Sequence, residues 1–281
     1  MLEFEKELRG RRDAGRKLLI PYLMGGMTDD WGQSLAAVVA AGADAVEVGI
    51  PFSDPMIDGP VIQEAALRAL QRGTVPEAVL DGITRAEAPV PIAVMTYYNI
   101  VYRAGHKRMA RSLAAAGVGG AILPDLPTEE LDPWQVEADA AGVDTILLVA
   151  PSSPEERVAT ICARARGFVY AVARMGVTGE RQSLGTDAAK VVERIRRHTD
   201  LPVCVGVGIS TPDQAADICE VADGIAVGSA LVRRLIEGEG PDGAAAFIGS
   251  LRAHVWRTAH PTARGQEALS AVVEGDLRGR A

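Results

Sequence analysis

Ala41-Gly42-Ala43-Asp44-Ala45-Val46-Glu47-Val48-Gly49 is the stretch from which the architecture follows. The Ala-rich run before it, from about Asp30 to Ala41, has helical composition. Gly42 then supplies the left-handed backbone on which helices commonly end. The β-branched run that follows is too short for a helix and is closed by Gly49, so it is a strand. The same phrase returns at Ala116-Gly117-Val118-Gly119 and at Ala141-Gly142-Val143-Asp144. Each copy marks the passage from a helix into the next strand.

Working outward, short apolar runs alternate with helical stretches along the whole chain. Strands are predicted at 18–24, 45–49, 92–97, 121–123, 145–149, 168–172, 202–205 and 224–227. Helices are predicted over 30–41, 61–70, 76–86, from the third strand up to Ala116, and over 128–141, 154–166, 187–197, 212–221 and 243–258. Eight strands, each followed by a helix, make a (β/α)8 TIM barrel. The expectation is one α/β domain over residues 1–281, with a short N-terminal helix and extra helices in the loops after strands 2 and 8. An open doubly wound sheet is the competing architecture. Its first turn is glycine-rich, and Gly25-Gly26-Met27-Thr28 lacks the G-x-G-x-x-G spacing.

Composition agrees. Aromatic residues make up only 4% of the chain, so Val, Ile, Leu and Ala must build the core, as in parallel strands buried on both faces. The net charge is −8 and the arginines are scattered, which argues against nucleic acid as a partner. Cys162, Cys204 and Cys219 form no C-x-x-C pair and lie in apolar surroundings, so buried, reduced thiols are expected. His106, His198, His254 and His260 lack metal-ligand spacing; they are expected at the surface, with no metal bound. Residues 1–17 are charged, and no apolar run approaches the ~18 residues of a membrane span, so a soluble cytoplasmic protein is expected.

Catalytic groups of such barrels sit at the C-terminal ends of the strands. Glu47 lies inside a strand with no Arg or Lys near it in sequence. An ionised carboxylate there is desolvated, which raises its pKa and suits acid/base work. An outward-facing Glu at a strand edge, or one paired with a buried Arg, is the structural alternative. Asp54 and Asp58 follow in the loop. Either can be a turn or N-cap residue. Together with Glu47, however, Asp58 makes two carboxylates in different environments, which suits one proton donor and one ionised acceptor. Three late glycine sites, Gly176 to Gly179, Gly206 to Ser210 and Gly228-Ser229, fall after strands 6, 7 and 8. Backbone N–H groups there can cradle a phosphate, each charge-assisted bond contributing roughly 1.5–3 kcal/mol. Plain turn glycines are the alternative. Tyr22, Met95, Tyr97, Ile122, Val149 and Tyr170 fall on the same rim, as an apolar pocket for a flat ring or simply as core.

Residues 41–60, with Glu47, Pro51-Phe52-Ser53-Asp54-Pro55 and Asp58-Gly59-Pro60, closely resemble the signature of the tryptophan synthase alpha subunit family. Further matches follow in order at 95–99, 123–127, 149–153, 176–179, 206–210 and 228–229. The resemblance implies cleavage of indole-3-glycerol phosphate to indole and glyceraldehyde 3-phosphate. It implies Glu47 as the acid/base, and Asp58 as the carboxylate facing the indole N–H. Thr178 would close over the site and bond Asp58. Gly179, Gly208, Gly228 and Ser229 would bind phosphate, and Tyr22, Met95, Tyr97 and Tyr170 would line the pocket. No cofactor is implied in this chain. The family works in an α2β2 complex, passing indole to a beta subunit that holds pyridoxal phosphate, and the loop with Pro51 and Asp54 would face that partner. Met27, Ala173 and Met175 depart from the family pattern, which bears on coupling to the partner. A free-standing lyase and a non-catalytic activating subunit are the alternatives; intact Glu47, Asp58 and Thr178 speak against the latter.

Overall fold

In the computed structural model the described residues are 1–173, 182–206 and 208–259. Strands β1 (Leu18–Met24), β2 (Val46–Gly49), β3 (Ile92–Met95), β4 (Val118–Ile122), β5 (Asp144–Val149), β6 (Val169–Val172), β7 (Val203–Gly206) and β8 (Gly224–Val227) pair in parallel, and β8 closes on β1. This is the predicted closed eight-stranded barrel. Helices α1 (Glu3–Asp13), α2 (Trp31–Ala40), α3 (Pro60–Gln71), α4 (Pro76–Ala86), α5 (Tyr98–Ala104), α6 (His106–Ala115), α7 (Asp132–Ala141), α8 (Glu155–Arg164), α9 (Gln182–Arg196), α10 (Pro212–Val221), α11 (Ser229–Ile236) and α12 (Gly240–Ala259) connect and flank the strands. The glycines of the repeated phrase have left-handed backbone, at φ +103° for Gly42, +78° for Gly117 and +79° for Gly142.

The strands bury both faces. Leu18, Ile20, Ala45, Ala93, Ile122, Ile146, Phe168, Tyr170, Cys204 and Ala226 fill the barrel interior. Leu19, Leu23, Val46, Val48 and Val94 face the surrounding helices. Successive side chains alternate between these two cores, as the period of a strand requires. Phe4 of α1 plugs the N-terminal end of the barrel; Gly119, Gly120 and Gly167 leave room for its ring, since a Cβ on any of them would meet it within 3.3 Å. Asp144 caps this helix from outside, its Oδ2 accepting the Glu5 N–H at 2.8 Å.

Asp44 is fully buried at the same end. It accepts the Leu19 N–H at 2.8 Å and pairs with Arg16 and with Arg252 of α12, while Arg11 lies at 3.5 Å. Arg252 also donates to the Gly42 and Lys17 carbonyls at 3.1 and 2.9 Å. The helix–strand phrase is thereby tied to the last helix by charge.

Several element boundaries differ from expectation. The helix after the third strand breaks at Gly105, whose φ of +86° cannot continue it, into α5 and α6. The helix predicted over 128–141 begins as a 3-10 turn at Thr128–Glu130, and α7 starts only where Pro133 can occupy a first-turn position. Strand β4 begins at Val118, because Gly119 and Gly120 serve Phe4 rather than a turn. The three cysteines are buried. His198 is exposed, but His106 and His254 are half-buried and bonded to the Tyr98 hydroxyl and the Ser250 carbonyl; His260 lies outside the described residues. No helix among the described residues is long and apolar enough to cross a membrane.

Candidate active site

Glu47 is held between Tyr22 of β1 and Ala93 of β3 by strand register. Ala45 faces the barrel interior and Val46 and Val48 face the helices, so alternation turns Glu47 inward, one layer nearer the C-terminal rim. Its side chain is 1% exposed. Oε1 has no hydrogen-bond partner, and no ion pair reaches the carboxyl among the described residues. Burial alone pushes its pKa from 4.5 up to about 8. The expected strand-borne, uncompensated carboxyl is what the structure contains, and near neutral pH it carries a proton.

Asp58 sits in the loop after β2, half-buried, with no cation beside it among the described residues. Burial holds its pKa above the ordinary carboxylate value, and a hydrogen bond from the Tyr97 hydroxyl at 3.0 Å offsets part of that rise. The same hydroxyl accepts the Ile57 N–H at 3.1 Å, and the Tyr97 ring stacks on Phe52 at 5.0 Å. Asp54 is exposed with Met56 and Ile57, whereas Pro51 is buried.

Tyr22 and Tyr170 complete the mouth. Both hydroxyls are pushed well above their ordinary value, chiefly by burial and further by the nearby carboxylates, so both stay protonated. Each ring lies against a glycine of the next strand. A Cβ on Gly49 would sit 2.0 Å from the Tyr22 hydroxyl, and one on Gly206 would sit 2.1 Å from that of Tyr170. Met95 and Leu148 border the interior at this level.

A cleft between the β2 loop and β3 is lined by Tyr22, Phe52, Asp58, Met95, Thr96 and Tyr97. It has room for about one water (about 10 Å³). That is far below the ~300–1,000 Å³ of small-molecule sites, so a ring-sized ligand enters it only if this lining moves. Phe52 and Thr96 were not singled out in the sequence; a loop Phe beside a proline and a Thr at a strand end carry little signal of their own. Ile122 faces the interior below the mouth, outside the cleft. Val149 faces the helices, because alternation along β5 gives the interior to Ile146 and Leu148.

The described members of the glycine sites after β7 and β8 lie at the same rim. Gly208 has φ +82° after β7, Gly228 caps α11, and Ser229 is its first residue. A Cβ on Gly228 would come within 3.6 Å of the Tyr22 Cβ, which places this helix start beside the mouth. The positive end of the α11 dipole therefore lies at the mouth. Thr178, Gly179 and Met175 lie outside the described residues. Met27 and Ala173 are both buried, and the Ala173 N–H donates to the Gly206 carbonyl at 3.1 Å. No group of three or more His, Cys, Asp or Glu side chains among the described residues is placed to hold a metal.

Comparison with known proteins matches this geometry. The family model described as tryptophan synthase alpha chain matches residues 8–250. The tryptophan synthase alpha chain of Halorhodospira halophila is 47% identical over 253 residues, 88% of this chain and 91% of that one. The alpha chain of Thermobifida fusca is 45% identical over 243 residues, 84% of this chain and 90% of that one. Among solved structures, a ligand-free tryptophan synthase of M. tuberculosis superposes with a TM-score of 0.83 at 38% identity, covering 91% of this chain and 99% of that one. The alpha chain of Legionella pneumophila gives 0.82 at 31% identity, covering 92% and 98%. On the barrel, the buried Glu47 and these likenesses together, the chain belongs to the tryptophan synthase alpha chain family.

Proposed function

We propose that this chain cleaves indole-3-glycerol phosphate to indole and glyceraldehyde 3-phosphate, with Glu47 as the proton donor and acceptor and Asp58 as the carboxylate that holds the indole ring. The observation that carries this is the pairing of environments. Glu47 is buried, uncompensated and protonated near neutral pH, while Asp58 lies nearer solvent and accepts a hydrogen bond. One carboxyl is set to give a proton and the other to attract positive charge.

The chemistry closes on these groups. Glu47 gives its proton to indole C3, which turns the ring into an indoleninium cation and its C3 into a leaving position. Asp58 faces the ring N–H and stabilises that charge. The Glu47 carboxylate then takes the proton of the glycerol hydroxyl on the carbon attached to C3. The O–H electrons form the aldehyde C=O, the carbon–carbon bond breaks, and its electrons restore neutral indole. Glu47 ends protonated, as it began. General acid–base catalysis of this kind supplies ~10²–10⁴-fold. The steps call on no cofactor from this chain.

In the same proposal Gly208, Gly228, Ser229 and Gly179 bind the phosphate, and Tyr22, Met95, Tyr97 and Tyr170 bound the ring. Thr178 closes over Asp58. Support comes from the α11 N-terminus beside Tyr22 and from the tyrosines at the mouth. The partner is a beta subunit carrying pyridoxal phosphate in an α2β2 complex, approached by the loop that exposes Asp54 and follows Pro51. One barrel domain over 1–281 and a cytoplasmic location complete the proposal.

The test is turnover of indole-3-glycerol phosphate by the purified chain, with and without a beta subunit, reading glyceraldehyde 3-phosphate. Slow turnover alone and faster turnover with the partner are expected. High turnover alone points to a free-standing lyase, and no turnover in either arm points to a non-catalytic activator.

A further inference from the structure

Tyr97 makes three contacts to one loop. Its ring stacks on Phe52 at 5.0 Å and 25° between planes, its hydroxyl accepts the Ile57 N–H at 3.1 Å, and the same hydroxyl bonds Asp58 Oδ2 at 3.0 Å. Both ends of the segment 52–58 therefore rest on a single side chain. The backbone that carries this side chain is itself fixed. Tyr97 is the N-cap residue of α5 and is 7% exposed; its carbonyl accepts the Ile100 N–H at 3.1 Å. The Thr96 N–H donates to the Ile122 carbonyl at 3.1 Å, and the Tyr98 N–H to Asp125 Oδ1 at 2.8 Å. The loop's other bonds are short-range ones, from the Ser53 hydroxyl to Asp54 Oδ2, from Asp58 N to the Pro55 carbonyl, from Met56 N to the Asp54 carbonyl, and from Gln63 to the Pro55 and Asp58 carbonyls.

The hydroxyl accepts from one group and donates to the other. A phenol has one proton to give. The Ile57 N–H can only donate, so the hydroxyl accepts there and its proton goes to Asp58. Asp58 Oδ2 is the acceptor, and the bond favours the ionised form of that carboxyl. The other titratable groups at this mouth are Tyr22 on β1, Glu47 on β2 and Tyr170 on β6, none of them a cation. Among the described side chains the Tyr97 hydroxyl is the only donor that bonds the Asp58 carboxylate.

We propose that Tyr97 is a positioning residue for the lyase reaction, holding the β2 loop and presenting Asp58 to the indole N–H as an ionised acceptor. The proposal rests on the function assigned above and adds a role beyond lining the pocket. Its consequence is a division of the pH profile. Asp58 must be ionised and Glu47 protonated, so activity against pH is bell-shaped. The acid limb belongs to Asp58 and the alkaline limb to Glu47. The Tyr97 bond lowers the Asp58 limb, so its loss moves that limb up and leaves the other in place.

The test is Tyr97→Phe, which removes the hydroxyl and keeps the stacked ring, against Phe52→Leu, which removes the stack and keeps the hydroxyl. Both are assayed with the beta subunit on indole-3-glycerol phosphate. For Tyr97→Phe we expect kcat to fall ~10-fold or more, with KM changing less, and the acid limb of kcat/KM to rise by about half to one pH unit. For Phe52→Leu the expectation is a raised KM and an unmoved acid limb. A ¹³C-carboxyl titration of Asp58 in the substrate-free chain, assigned through Asp58→Asn, should show the same upward move in Tyr97→Phe. An unmoved acid limb and titration in Tyr97→Phe overturn the proposal even if kcat falls, since only packing was then lost. An equal move in Phe52→Leu overturns it too. Absence of turnover by the wild type refutes the assigned reaction, while the titration still decides the role of Tyr97.

Discussion

Replacing Glu47 by Gln separates what this carboxyl does for chemistry from what it costs the fold. The change is nearly isosteric and keeps a neutral group in place of a carboxyl that is 1% exposed. The folded carboxyl titrates at about 8 against an ordinary 4.5, so the folded chain binds that proton more tightly than the unfolded chain does. The wild type therefore loses stability as pH rises from about 4.5 to about 8, and the loss levels off above that. At ~1.4 kcal/mol per pH unit the full gap is about 5 kcal/mol, a ceiling that water entering the mouth reduces. Gln has no such penalty. Urea unfolding of the two proteins between about pH 5 and pH 9 should give equal stabilities at the acid end, with Glu47→Gln ahead by a few kcal/mol at the alkaline end. The same variant should lose glyceraldehyde 3-phosphate release by ~10²-fold or more at every pH, because neither proton transfer remains. Stability curves that run parallel across this range would refute the desolvated, unpaired Glu47 described above. Near-normal turnover would refute its place in the reaction.

Two further outcomes are expected. Asp44→Ala should destabilise the chain by about 3–5 kcal/mol in urea unfolding, since Arg16 and Arg252 lose their buried partner and the Leu19 N–H its acceptor; a change below ~1 kcal/mol would show that the cluster is solvated. Gly49→Ala places a Cβ 2.0 Å from the Tyr22 hydroxyl and should lower kcat/KM by ~10-fold or more as the ring is displaced; a double-mutant cycle with Tyr22→Leu should show strong coupling, and additive effects would mean that the ring moves freely.

Much of this protein was legible in its sequence because the signals are local. Gly42, Gly117 and Gly142 each follow a helical run and can take the left-handed backbone that ends a helix without a Cβ penalty, so each helix end could be placed without a partner in view. The alternation of short apolar runs with helical stretches allowed eight strands to be counted, and the barrel closes with that count. Glu47 stood out for a similar reason, since a carboxylate within such a strand has no solvent to turn to. Boundaries were less legible where a distant contact overrides local preference. Gly119 and Gly120 suggest a turn until Phe4, more than a hundred residues earlier, is seen to need the space.

What the tertiary structure alone decided is how groups from different strands meet. Tyr97 and Asp58 are 39 residues apart, and nothing in either segment announces the hydrogen bond between them. Arg252 reaches Asp44 across 208 residues, turning a piece of a helix–strand phrase into an ionic anchor. Local propensity acts through a residue's own backbone and near neighbours, and so it can be read along the chain. Desolvation, strand register and long-range hydrogen bonds exist only once the barrel has closed, and here they leave Glu47 buried without a partner and bring the Tyr97 hydroxyl onto Asp58.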